Sequence, residues 1–238
     1  FYKRFDIGSL RMCISAGEPL PLQTWNTWRD ATEIEILDTI GCTETYHTFM
    51  ANRPGEVRPG SSGKPIRGYD VRLVDDEGKD VQAGMVGNLM VRGESTALFY
   101  LHHSEKTRHS FRGEWLFTGD QYLQDKDGYY WHKGRVDDML KVGGLWVSPM
   151  EIEEVLSAHD SVADCAVVGH YDNAGLLKPK AFVCLRDGVE PSDELFEQLV
   201  KLCAKTLDAH KRPRWLEFNN DLPRTSTGKL QRFKLREQ

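Results

Sequence analysis

Residues 134–153, GRVDDMLKVGGLWVSPMEIE, decide how this chain is divided. Three glycines and four charged residues fall within the eleven positions 134–144, which breaks any apolar periodicity and predicts a glycine-rich loop. Ser148, Pro149 and Glu151 then match an N-cap, a first-turn proline and the third position of a capping box. They predict a helix whose buried stripe is Ile152, Val155 and Leu156. A domain boundary is therefore expected at 134–138, with residues 1–136 on one side and 137–238 on the other.

Upstream, the pattern is one of short strands separated by turns. YDVRLV (69–74), NLMVRG (88–93), EWLF (114–117) and YYWHK (129–133) are punctuated by D-E-G and K-D-G turns, which predicts antiparallel hairpins. With one helical stretch near 104–110, residues 60–136 read as a small β-barrel or sandwich subdomain. Residues 1–59 read differently, as an α/β lobe: a strand at LRMCIS (10–15), a helix from about Pro21 carrying Leu22, Trp25 and Trp28, and a strand at EIEIL (33–37). In a parallel sheet of this kind ligands lie beyond the carboxyl ends of strands, so the loops 15–20 and 38–47 become candidate binding segments. Trp25, Trp28 and Trp131 are assigned to core and interdomain packing.

Downstream, VADCAVVG (162–169) and KAFVCLR (180–186) are strand-like. A helix from Ser192 to about Ala209, a short strand at WLEF (215–218) and a basic tail follow. The last hundred residues are thus expected to form a compact α+β domain.

Composition excludes several functional classes. The chain has 238 residues with 31 Lys+Arg against 36 Asp+Glu, a net charge of −5, which argues against coating nucleic acid or an anionic membrane by bulk charge. No run approaches the roughly 18 apolar residues of a membrane helix, and FYKRFD at the start lacks the order of a secretory signal, so a cytoplasmic location is expected. Cys13, Cys42, Cys165, Cys184 and Cys203 are scattered without a C-x-x-C pair, which predicts reduced thiols rather than disulfides or a zinc site. The start at Phe1, without an initiator Met, reads as part of a longer protein.

Four clusters carry chemistry. Ser15-Ala16-Gly17-Glu18-Pro19 and Ile40-Gly41-Cys42-Thr43-Glu44 are expected as loops at the ends of adjacent strands, where glycines admit a flat or phosphorylated ligand. There Thr43 offers a hydroxyl to phosphate, and Glu44 offers a hard oxygen to Mg²⁺. Thr118-Gly119-Asp120 is expected where a strand ends, with the carboxylate suited to vicinal hydroxyls such as those of ribose. The third cluster is 134–153 itself. The fourth, LPRTSTGKLQR (222–232), is not a P-loop, because Leu230 follows the lysine. It still presents Lys229 as a point charge for phosphate or carboxylate. Each cluster alone is an ordinary turn.

In this order and spacing the clusters resemble the adenylate-forming enzymes: acyl-CoA synthetases, peptide-synthetase adenylation domains and beetle luciferases. IGCTETYH, NRPGEVRPGSSGKPIRGY, DDMLKVGG, KPKAFV and DLPRTSTGKLQRFKLRE are most similar to benzoate–CoA ligases and related aromatic acid–CoA ligases. The resemblance implies the C-terminal part of the large N-terminal domain of such an enzyme plus its small mobile C-terminal domain.

It also implies roles. Gly17, Glu18 and Pro19 would border adenine, with Asp38 and Gly41 also in the nucleotide site, and Thr43 and Glu44 would contact the phosphates and Mg²⁺. Asp120 and Arg135 would hold the ribose hydroxyls, Asp137 would be the hinge, and Gly143 and Gly144 would line the pantetheine passage. Ile40 and His47 would line the acyl pocket. Lys229 would bridge the attacking carboxylate and the α-phosphate. The implied cofactors are ATP/AMP, Mg²⁺ and coenzyme A, and the implied partners are an aromatic carboxylic acid and CoA, with no nucleic acid and no membrane and a homodimer left open. The Ser/Thr/Gly-rich phosphate loop that the family carries upstream is not in this chain, so residues 1–238 are expected not to complete catalysis alone. An enzyme loading a carrier protein and a non-catalytic nucleotide-binding fragment stand as alternatives.

Overall fold

The computed structural model describes residues 4–226 and 228–236. Of the positions singled out above, Phe1 and Thr227 lie outside the described residues. The chain divides into two compact units, Phe1–His132 and Lys133–Gln238.

The first unit opens with β1 (Cys13–Ser15), α1 (Leu22–Thr32) and β2 (Ile36–Gly41), with β1 parallel to β2 and Ser15 opposite Asp38. The expected β-α-β order holds, but its bounds move. Only the last three residues of 10–15 are strand. Pro21 is the cap residue before α1 rather than its first turn. Glu33 closes α1 in the left-handed region (φ 61°), its N–H donating to Arg29 O at 2.8 Å, so β2 cannot begin until the chain has turned. Then β2 runs further than expected, placing Asp38, Ile40 and Gly41 in a strand instead of a loop. Two-sided pairing extends it: β1 lies along one edge and β3 (Thr48–Ala51), followed by β4 (Lys64–Pro65), along the other. None of the α1 residues is fully buried, and Trp25, Trp28 and Trp131 are half-buried outside the core clusters.

The rest of this unit is the antiparallel subdomain that the turns predict. Its strands are β5 (Tyr69–Val74), β6 (Val86–Gly93), β7 (Phe111–Arg112), β8 (Trp115–Gln124) and the start of β9 (Tyr130–Arg135), whose last three residues belong to the second unit, in the order β5-β6-β8-β7 with β9 also on β8; α2 (Ser104–Ser110) precedes β7. Alternating residues Leu89 and Val91 of β6 join Phe49, Leu73, Leu116, Tyr122 and Tyr130 in one core. Thr118-Gly119-Asp120 lies inside β8, not at a strand end. Asn88 faces Gln121 and Met90 faces Phe117, so all three residues oppose the single residue Leu89 in a bulge. Gly119 takes the left-handed step (φ 79°). Thr118 Oγ1 donates to Leu89 O at 3.2 Å and accepts from Asp120 N at 3.1 Å, which satisfies the interrupted ladder and lets pairing resume.

In the second unit the expected loop 134–144 is mostly ordered. Val136–Asp138 forms a 3₁₀ turn, and β10 (Leu140–Val142) pairs with β11 (Leu145–Val147) through Gly143-Gly144, whose φ values of 58° and 86° suit a two-residue primed turn. The predicted helix is α3 (Pro149–Ser157), with Ile152 and Leu156 buried. No capping box forms: the Ser148 hydroxyl donates to Lys133 O at 2.6 Å, and Glu151 is engaged by Lys211 Nζ at 2.7 Å. Strands β12 (Val162–Tyr171), β13 (Leu177–Leu185) and β14 (Trp215–Phe218) form one sheet. Cys165 and Val167 pack toward α3 and α4 (Asp193–Thr206). Ala166 and Val168 pack toward Leu222 and, in α5 (Arg232–Leu235), Leu235. Both faces are covered, so β12 reads as a continuous apolar run. Ser192 caps α4 by accepting from Leu195 N at 3.2 Å; the helix ends at Thr206, short of Ala209, because Leu207 is extended.

Cys165, Cys184 and Cys203 are buried free thiols, and burial pushes Cys165 up to about 12, so it stays protonated. Among the described residues no helix is long and apolar enough to cross a membrane.

Candidate functional site

Parallel pairing of β1 with β2 sets Asp38 beside the loop that leaves Ser15. Thr39 Oγ1 donates to Ser15 O at 3.1 Å across the pair, and Gly17 turns the loop with φ 96°, leaving Glu18 and Pro19 exposed. The Asp38 side chain is buried, with Thr39 N donating to Oδ1 at 3.1 Å. Burial pushes this carboxyl up to about 6; backbone N–H groups of Leu20 and Thr39, His132 and the Ser15 hydroxyl pull the other way without cancelling it.

Asp38 is tied from behind by Asn52, a buried residue that opens the NRPGEVRPGSSGKPIRGY run and to which no site role is assigned from sequence. Asn52 Nδ2 donates to Asp38 O at 3.1 Å and to Ser61 O at 2.6 Å, while Oδ1 accepts from Arg58 N at 3.0 Å. One amide thus fastens β2 to the loop 53–63.

The turn from β2 to β3 carries Thr43, Glu44 and His47. A Cβ at Gly41 would lie 2.5 Å from His47 O, so the close approach that needs this glycine is to its own backbone. Thr43–Thr45 is a 3₁₀ turn pinned through Thr45, whose carbonyl accepts from Ser95 Oγ at 2.7 Å and from the Tyr69 hydroxyl at 3.2 Å. Glu44 Oε1 accepts from the Tyr100 hydroxyl at 2.6 Å. Burial pushes Glu44 up, but the bonds from Tyr100 and from its own backbone and the nearby Lys106 outweigh it, and the carboxyl rests below the usual glutamate range. The same burial and contact push Tyr100 up to about 12. Glu44 is therefore a carboxylate at neutral pH, aimed by a residue far away in sequence. His47 is exposed, with Nδ1 2.7 Å from Thr48 O and its ring edge-on to Tyr69.

On the β8 bulge, Asp120 Oδ1 lies 3.5 Å from His132 Nε2, both side chains being largely buried. His132 is thus common neighbour to Asp38 and Asp120, and sequence reasoning missed it because nothing marks one histidine within an aromatic strand.

In the second unit, Arg135 Nη2 stands 4.0 Å from Asp137 Oδ2, an exposed pair that contributes little to stability. Gly143 and Gly144 form a hairpin tip open to added side-chain bulk, though not to non-glycine dihedrals. Lys229 sits exposed on a second small hairpin closed by an Arg224–Leu230 bridge. Thr225 organises it: Thr225 N donates to Lys229 O at 2.8 Å, and Lys229 N donates to Thr225 Oγ1 at 3.0 Å. After the hairpin, Arg232 Nη2 donates to both oxygens of the largely buried Glu153 side chain at 2.7 Å. Among the described residues no group of three or more metal-ligating side chains converges.

Comparison with known proteins gives the family. Residues 1–101 match the family of AMP-binding enzymes, and residues 151–229 match the AMP-binding enzyme C-terminal domain. A protein named benzoate–CoA ligase from Thauera aromatica is 48% identical over 228 residues, covering 95% of this chain and 43% of the relative. A 4-hydroxybenzoate–CoA/benzoate–CoA ligase from Rhodopseudomonas palustris is 46% identical over 96% of the chain and 42% of the relative. Among solved structures, the anthranilate CoA ligase AuaEII in complex with anthranoyl-AMP superposes with a TM-score of 0.93 at 55% identity, over 99% of this chain and 46% of that one. The chain spans less than half the length of these relatives. With the two matches falling in order along the sequence, the chain belongs to the AMP-binding enzyme family.

Proposed function

We propose that this chain is the distal part of an ATP-dependent carboxylic acid–CoA ligase acting on benzoate or a substituted benzoate. The reaction has two steps: acyl-adenylate and pyrophosphate form first, then CoA thioester and AMP. What supports this reading most is that the acids of the β-rich unit and the Lys229 hairpin occur together in a chain 46–55% identical, over nearly its whole length, to ligases named for aromatic acids.

In the first step Asp38 and the Gly17-Glu18-Pro19 loop flank adenine, with Gly41 and Ile40 beneath the turn, while Asp120 accepts from the ribose hydroxyls and Arg135 donates to them. Thr43 donates to a phosphate oxygen. Attack of a carboxylate on the α-phosphorus brings two anions together, so Lys229 acts by charge and position, bridging the two. Glu44 fits a hard cation: its carboxylate is held ionised by Tyr100, and among the described residues no group of three or more metal-ligating side chains converges, which leaves coordination positions to phosphate and water. Mg²⁺ bound there would neutralise phosphate charge. His47 and Ile40 border the acyl group.

For the second step Asp137 is the hinge residue. Rotation there would withdraw Lys229 and bring Gly143-Gly144 to the pantetheine path, and a hinge residue need only absorb a dihedral change.

The full-length protein tests this directly. Pyrophosphate release and thioester formation are followed with benzoate, 2-aminobenzoate, 4-hydroxybenzoate and a short aliphatic acid. Thioester from an aromatic acid, with the adenylation step reduced about 10²–10³-fold in Lys229→Ala, is the expected result. Pyrophosphate release without thioester would favour carrier loading, and silence in both would overturn the proposal.

A further inference from the structure

His132 occupies an unusual place for a residue outside every motif. Its Nε2 faces Asp120 Oδ1 at 3.5 Å, and its ring lies against Tyr122 with centroids 5.0 Å apart. Tyr122 is itself fully buried, its hydroxyl 3.0 Å from Ser62 Oγ. Ser62 is fixed in turn by its N–H to Tyr130 O at 2.9 Å. A rigid chain of contacts thus runs from the backbone through Ser62 and Tyr122 to His132 and ends at Asp120.

The tautomer follows from the surroundings. Nδ1 is buried with no hydrogen-bond partner among the described residues. A neutral ring has one N–H, and leaving it on Nδ1 would strand a buried donor; on Nε2 it faces a carboxylate. The 3.5 Å separation is too long for a strong hydrogen bond, so the contact is one of charge and dipole that biases the Asp120 rotamer. Asp120 lies in the bulge that interrupts the β6–β8 ladder, and His132 is one of the groups that face its carboxylate there.

We infer that His132 is a positioning residue for nucleotide selectivity: it holds the Asp120 carboxylate in the orientation that receives the two ribose hydroxyls. The inference rests on the ribose role proposed for Asp120, and the test separates the two.

Full-length protein is titrated with AMP and with 2′,3′-dideoxy-AMP. Two hydroxyls donating to a carboxylate predict a preference for AMP of about 10–100-fold in the wild type. His132→Phe keeps the ring packing and removes the donor; its preference is expected to fall at least fivefold. His132→Gln, which restores a donor of similar reach, recovers at least half of that loss. Should the phenylalanine variant not fold, His132→Asn, whose amide is too short to span the gap, serves as the loss variant. Equal weakening of both ligands, or an unchanged preference, overturns the inference. Asp120→Asn is the control: if it retains the full wild-type preference, the ribose role of Asp120 fails, whatever His132 does.

Discussion

The Tyr100 hydroxyl donates to Glu44 Oε1 at 2.6 Å, across 56 positions of sequence. It couples the segment before α2 to the 3₁₀ turn after β2, and it does so at the one carboxylate of that turn. Thr43 is exposed, while Cys42 at the head of the turn is tied to Thr45. The Glu44 side chain is held in addition by a phenol that no local pattern announces.

Replacing Tyr100 with Phe removes the main interaction holding Glu44 below its usual range, while burial, which pushes it up, persists. The carboxylate then protonates at higher pH. A hydrogen bond to a charged group contributes roughly 1.5–3 kcal/mol, or about one to two pH units, so the Mg²⁺ concentration for half-maximal pyrophosphate release should rise by about a few-fold at pH 6 and less at pH 8. Equal Mg²⁺ dependence in both proteins at both pH values would remove Tyr100 from this role.

Asp38 makes stability depend on pH with a definite sign. Its carboxyl is raised from 3.8 to about 6, so between those values the folded chain binds a proton that the unfolded chain does not. The associated stability is complete below pH 3.8 and is lost as pH rises through 6. Asp38→Asn should therefore be more stable than wild type at pH 8, by about 1–2 kcal/mol after allowance for the N–H partners it loses, and the gap should close toward pH 4. Urea unfolding across pH 4–8 measures it. A gap that widens on acidification would contradict the burial argument.

Gly41 is expected to tolerate no side chain. A Cβ there would lie 2.5 Å from His47 O and 2.7 Å from Thr48 Cα, both backbone atoms. Gly41→Ala must push β3 away from β2 and with it the turn bearing Thr43 and Glu44. A loss of about 1–3 kcal/mol in stability and a larger fractional loss in adenylation rate are expected from thermal unfolding and pyrophosphate exchange. Wild-type values in both would show that the strands part without strain.

Much of this organisation is legible in the sequence, for identifiable reasons. The YDVRLV strand is recovered to the residue because alternation and the D-E-G turn agree. The helix at Pro149 is recovered because a proline at the first position is compatible with little else. The hairpin at Gly143-Gly144 is missed because three-residue strands are shorter than the period that would reveal them. The bulge at Thr118–Asp120 is misread as a strand end because glycine serves both uses. Among candidate site residues, the glycines and acids stand in motifs, whereas Tyr100 and His132 act through contacts made only after folding.

Arg232 and Glu153 provide the last prediction. Arg232 Nη2 contacts both Glu153 oxygens at 2.7 Å, and Glu153 Oε1 also accepts from Val167 N at 2.7 Å, so α3, β12 and α5 meet at one carboxylate. Burial pushes Glu153 up and Arg232 only partly offsets it, which marks the pair as one whose desolvation is not fully repaid. Arg232→Met alone leaves a buried, uncompensated carboxylate and should cost about 3–5 kcal/mol, whereas Glu153→Leu combined with Arg232→Met should recover most of that loss. The double variant also separates stability from catalysis, because Lys229 lies three residues before Arg232 and its hairpin is anchored through the same segment. Restored unfolding free energy with adenylation still reduced would show that the ion pair fixes where Lys229 stands. Recovery of both together would show that apolar packing at α5 holds the hairpin as well as charge does.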